Sequence, residues 1–126
     1  MLRSIIEQAT KPLRFRRRLP AAFGRIPIYV SPSAGLRYLF RCMSDVDPVL
    51  LRLVSEFVTT DSVVWDVGAN VGLFSFAAAF KAGPRGLVVA LEPDVWLVQL
   101  LRRSSRIQPL ASAPRSRDSC GGCPVG

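Results

Sequence analysis

The sequence predicts an α/β fold built on a parallel sheet, and three observations predict it. Two apolar runs suited to strands, residues 62–67 and 87–91, flank a nearly all-apolar stretch of helix length, residues 72–82. The first run enters a glycine turn, Asp66-Val67-Gly68-Ala69-Asn70-Val71-Gly72. The second ends in Glu92-Pro93-Asp94, and an amphipathic stretch follows. Helix, strand, helix, strand, helix in alternation argues for parallel strands joined by right-handed crossovers.

The chain has 126 residues, enough for one small domain with a real core. Hydrophobic residues make up 49%, which excludes wholesale disorder. The longest apolar runs break well before the roughly 18 residues a membrane helix needs. Met1–Leu13 lacks a signal-peptide layout, because Arg3, Glu7 and Lys11 are scattered among short apolar pairs. The default expectation is therefore a cytoplasmic chain with no membrane span.

Taken in order, residues 2–9 carry a weak helical pattern in Leu2, Ile5, Ile6 and Ala9, ended by Pro12. The basic run Lys11, Arg14, Arg16, Arg17 and Arg18 follows, and carries much of a net charge of +8. The plain reading of residues 1–24 is a basic, solvated leader. Only Phe15 interleaves with the arginines, so no platform for stacking bases is present and a nucleic-acid partner is not expected. Ile26–Val30 suits a short strand, placed at an edge by Pro27. Ser31–Gly35 is a turn, and Leu36–Arg41 fits strand or helix equally. Cys42 stands alone in an apolar stretch and reads as a small core residue.

Asp47-Pro48 starts a helix: a side-chain acceptor at the cap, then proline where its missing N–H costs nothing. Leu50, Leu51, Val54, Phe57 and Val58 then form one apolar face. Thr59-Thr60-Asp61 ends it. Residues 62–67 form a strand with apolar residues on both faces, as expected of a central parallel strand. The alanines of residues 72–82 permit close approach to a sheet, and Gly83-Pro84 stops that helix. Asp94 caps a last helix carrying Val95, Leu97, Val98, Leu100 and Leu101.

After residue 107 no apolar period survives, and residues 108–126 read as a disordered tail. The abrupt change suggests the hypothesis of a shifted reading frame. Resequencing the coding DNA past codon 107 tests it: a confirmed frame, with no alternative frame resuming an apolar strand, sinks it. Cys120-Gly-Gly-Cys123 has metal-type spacing, but histidine is absent and Cys42 is the only other thiol. A four-ligand zinc site is therefore not expected.

In open parallel sheets, ligands sit at the carboxyl ends of the strands. The turn after the first strand and Glu92 after the second both lie there. Gly68 lets the backbone turn tightly and approach a ligand. Gly72 gives the helix a close start, whose N–H groups can hold a carboxylate or phosphate. Asn70 tolerates unusual backbone angles and offers hydrogen bonds of both kinds. Asp66 can accept turn N–H groups or a ligand ammonium, and Glu92 can accept from two ribose hydroxyls. The turn departs from the dinucleotide fingerprint, with Ala69-Asn70 where the second glycine should fall, and lacks the Gly-Lys-Ser/Thr of a phosphate loop. A tight turn with no ligand is the alternative, and the strand–turn–helix–strand–acid context argues against it.

The stretch Val64-Trp-Asp-Val-Gly-Ala-Asn-Val-Gly-Leu-Phe-Ser, with Val89-Ala-Leu-Glu-Pro-Asp, resembles the S-adenosylmethionine-binding half of the FkbM-type methyltransferases. The resemblance covers roughly residues 15–107 and is close over residues 62–94. It implies a Rossmann-like, class I methyltransferase sheet over residues 25–107, truncated after the second core strand and its following helix. It implies that Asp66, Gly68, Ala69, Asn70 and Gly72 line the methionine part of S-adenosylmethionine. Glu92 would hold the ribose hydroxyls, with Pro93 and Asp94 beside the adenine. The implied reaction is methylation of a hydroxyl on a sugar or similar small molecule. The family's substrate-side residues have no counterpart here, so no catalytic residue is assigned. Two rival readings stay open: a non-catalytic module using the basic arm, and half of an NAD-type site.

Overall fold

The computed structural model describes residues 13–108 together with Ile5 and Ala9. Most of the helix expected over residues 2–9, the tail after residue 108 and the Cys120/Cys123 pair lie outside the described residues. Two two-stranded sheets organise the rest. Strands β1 (Phe15–Arg18) and β2 (Pro27–Val30) form an antiparallel pair, with Arg16 opposite Tyr29. Strands β3 (Val63–Val67) and β4 (Leu87–Leu91) are parallel, in the register Val63–Leu87 to Val67–Leu91.

Part of the basic run is thus a strand, in which Phe15, Arg16 and Arg18 are exposed and Arg17 is half-buried. Its Arg17 guanidinium donates to the carbonyls of Leu39 at 2.9 Å and Arg41 at 2.8 Å. Those carbonyls lie on and just after a short helix, α1 (Arg37–Phe40), so the ambiguous segment is helical. Helix α2 (Met43–Val46) follows. Cys42, expected in the core, is exposed at the start of α2, and the neighbouring Met43 and Val46 are buried instead.

Helix α3 (Pro48–Phe57) begins as its sequence dictates, with Leu50 N–H donating to Asp47 Oδ1 at 3.1 Å. Leu51 and Val54 turn inward, and α3 packs on α4 (Leu73–Ala82). Helix α4 carries the β3–β4 crossover and lies against both strands. Leu73, Phe76, Ala77, Ala78, Ala79 and Ala82 are all buried, so its small side chains bring the backbone close to the sheet. Helix α5 (Val95–Arg106) packs instead on β2, joining the two halves of the core.

That junction is satisfied by side chains. Tyr29 N–H donates to buried Ser104 Oγ at 2.8 Å, and the Gln108 side-chain amide donates to the carbonyls of Pro27 and Ser104. Groups on an open strand edge need partners once buried, and α5 and the residue Gln108 just beyond it supply them here.

Strand β3 is not covered on both faces as its composition suggested. Val64 and Val88 face the α4 side and belong to or pack against the main core. On the opposite face Val63, Trp65 and Val67 are 65%, 65% and 78% exposed. The cause is the topology: the parallel sheet has two strands among the described residues, and α4 covers one face. Among the described residues no helix is long and apolar enough to cross a membrane.

Candidate functional site

The site forms where β3 and β4 end side by side. Because the strands are parallel and in register, Asp66 lies opposite Ala90 and Val67 opposite Leu91, and the next residues of both strands emerge at one end. The turn from β3 folds back onto β4: the N–H groups of Gly68 and Ala69 both donate to Leu91 O, at 2.8 and 3.0 Å. Alternate turn residues are left-handed, with φ of +83° at Gly68, +55° at Asn70 and +89° at Gly72.

Gly68 and Gly72 serve different ends. A Cβ on Gly72 would come within 2.6 Å of Leu101 and 2.7 Å of Phe76, so this glycine lets the start of α4 sit against α5. A Cβ on Gly68 would meet nothing within 4 Å. Gly68 therefore borders open space, as a backbone that approaches a ligand must.

Glu92 holds the site together. It is buried, and its two carboxylate oxygens accept from different segments. Asn70 N–H donates to Oε2 at 2.8 Å and Asp94 N–H donates to Oε1 at 3.0 Å. One side chain thus ties the β3–α4 turn to the β4–α5 turn. Asp94 in turn caps α5, accepting from Trp96 N–H at 2.8 Å, and it and Pro93 are exposed.

Asp66 points into the first turn of α4. Ser75 Oγ donates to its Oδ2 at 2.5 Å. Burial pushes the Asp66 carboxyl above its ordinary range; hydrogen bonds from the Ser75 side chain and backbone pull it down by less, and the nearby Glu92 charge adds to the rise. Asp66 thereby acts on the start of α4 from the neighbouring strand, where Gly72 makes no side-chain cap. The sequence alone does not single out Ser75. Its signal is a hydroxyl at the third position of a helix whose one other polar side chain is Lys81, in the last turn.

Asn70 carries the site's open valence. Its side-chain oxygen is buried and makes no hydrogen bond. Buried acceptors nearly always have a partner, so an orphan at a turn of this kind points to a donor that the folded chain itself does not supply. Among the described residues no group of three or more His, Cys, Asp or Glu is placed to hold a metal ion.

Of the residues singled out from sequence, Asp66, Asn70, Glu92 and Asp94 are thus brought to one end of the parallel pair, with Gly68, Ala69 and Gly72 shaping the turn between them. Fold and site define a Rossmann-like β–α–β unit with an acceptor-rich glycine turn. Among solved structures, the chain is similar to a precorrin-6y C5,15-methyltransferase from Geobacter metallireducens GS-15, at 24% identity and a TM-score of 0.48. The match covers 60% of this chain and 38% of that one. No family model and no curated protein matches the sequence.

Proposed function

We propose that this chain binds S-adenosylmethionine at the β3–β4 strand ends and forms the cofactor-holding unit of a methyltransferase acting on a hydroxyl of a sugar or similar small molecule. One observation carries the reading: Glu92, 22 residues beyond Asn70, reaches back to the glycine turn that holds Asp66 and Asn70, and the first glycine of that turn faces open space. The resemblance of residues 64–75 and 89–94 to the FkbM-type motif supports the choice of cofactor and of acceptor class.

The residues present fit the cofactor. S-adenosylmethionine offers an ammonium and two ribose hydroxyls, all hydrogen-bond donors. The site offers the carboxylates of Asp66 and Glu92 and the orphan oxygen of Asn70. An ammonium beside Asp66 would draw its raised carboxyl back toward the charged form. A carboxylate accepts several hydrogen bonds, so Glu92 would hold ribose hydroxyls alongside the partners it already has. Gly68 leaves room for the methionine part. When bound, the cofactor supplies an electrophilic methyl group. The chain's share is to hold and orient it, and positioning is a large part of what methyl transfer requires.

Thermal unfolding of the 126-residue chain with excess S-adenosylhomocysteine tests the reading, with NAD as a parallel arm. Ligand at a hundred times its Kd adds about 2.7 kcal/mol of stability, an easily read rise in Tm. A rise with S-adenosylhomocysteine alone is the expected result. A rise with NAD alone, or with neither ligand, overturns it.

A further inference from the structure

A second cleft, of about 340 Å³, shares no lining residue with the glycine turn. Four arginines line it: Arg14 from the segment before β1, and Arg102, Arg103 and Arg106 from α5. Leu100 and Trp96 supply its apolar lining, and among the described residues no carboxylate contributes to it. We propose that this cleft binds a small polyphosphorylated anion, held chiefly by Arg14, Arg103 and Arg106.

The plain alternative is that Arg103 and Arg106 merely complement the carbonyl end of α5, in whose last turn they lie. Arg14 argues against it. It comes from the far end of the chain, yet its guanidinium lies over the Trp96 ring, 4.8 Å from the centroid. A helix end needs no such third cation, and like charges gathered in one cleft repel one another. Arg103 is fixed in the same way, 5.1 Å from the Tyr29 ring centroid. Stacking occupies the flat face of a guanidinium and leaves its in-plane N–H groups for other partners. Those forked donors match phosphate oxygens in pairs. Two arginines are therefore held in place before any anion arrives.

The ligand class follows from shape and charge. The volume sits at the small end of the range for small-molecule sites. Several guanidiniums around one such space call for more than one negative charge. Strand binding of nucleic acid is disfavoured, since it relies on aromatic faces open to bases and the Trp96 face is taken by Arg14.

The test uses the whole chain and inorganic tripolyphosphate as the probe. The sequence has two tryptophans, so Trp65→Phe leaves Trp96 as sole reporter at the cleft. The expected result is a saturable change in Trp96 emission at fixed ionic strength, with Kd raised at least fivefold by Arg106→Gln and by Arg14→Gln. Arg52→Gln, at an exposed pair with Glu56, should leave Kd unchanged. Calorimetric titration of the unsubstituted chain gives the same Kd independently, should Trp65→Phe not fold. Excess S-adenosylhomocysteine should not compete. A response reproduced by sodium chloride, or weakened equally by Arg52→Gln, overturns the proposal. Displacement of the probe by a short RNA at lower concentration overturns it in favour of a nucleic-acid surface.

Discussion

Gly72 and Gly68 share a backbone conformation and differ in surroundings, so alanine at each separates two costs that usually arrive together. Both have φ near +85°, a region that costs an L-residue about 1–2 kcal/mol. At Gly68 nothing lies within 4 Å of the added Cβ, and that conformational cost is the whole effect. At Gly72 the methyl meets Leu101 at 2.6 Å and Phe76 at 2.7 Å, and Leu101 is itself buried between helices. Overpacking of this kind adds about 1–3 kcal/mol. Gly72→Ala should therefore cost about 2–5 kcal/mol, much of a small domain's stability of about 5–15 kcal/mol. Urea denaturation of both variants reads the difference directly. Adding Leu101→Ala to Gly72→Ala should recover part of the packing cost and none of the conformational cost. Equal destabilisation by the two alanines would refute the claim that α4 starts against α5 through a glycine contact. In ligand binding the order should reverse: Gly68→Ala, stable enough to assay, should lose affinity for S-adenosylhomocysteine because its methyl projects into the space assigned to the cofactor.

Other perturbations probe the remaining parts of the site. Glu92→Ala should weaken S-adenosylhomocysteine binding by about 1.5–3 kcal/mol, the range for hydrogen bonds to a charged group. It should also lower the ligand-free Tm, because the Asn70 and Asp94 amides lose their acceptor; an unchanged Kd in a folded variant would remove Glu92 from the ligand's contacts. Asp66 predicts a pH effect whose sign is set by its raised carboxyl. The folded state holds that proton to higher pH than the unfolded state, so Asp66's contribution to stability falls as pH rises from its ordinary 3.8 to the raised folded value, then stays level. The stability difference between wild type and Asp66→Asn should trace that fall, and a difference independent of pH across the carboxylate range would show that burial does not perturb Asp66. Val63→Lys with Val67→Lys should reduce binding of a hydrophobic dye at less than about 1 kcal/mol each in stability, since both side chains are largely exposed. Undiminished dye binding would place the apolar surface elsewhere.

What the chain determined by itself is local. Asp47-Pro48 and Asp94 announce helix starts because a cap is made with amides two or three residues away, and both caps form. The glycine turn between two apolar runs, and the acid after the second, prescribe a parallel β–α–β unit because each run and its period lie within a few residues. Tertiary structure decided whatever depends on distant partners. Ser75 binds Asp66 only once α4 lies back on β3, and Glu92 reaches Asn70 only because the strands pair in register. Composition put apolar residues on both faces of β3; which face is covered depends on where α4 lies, and Val63, Trp65 and Val67 are left outside. Cys42 was hydrophobic enough for the core, but the start of α2 turns Met43 inward in its place. Arg14 stood in a basic run with no sign of a destination, and the packing of α5 on β2 set Trp96 beneath it. Hydrophobic period and capping act over a turn of chain, whereas the contacts that complete a site join segments that sequence keeps apart.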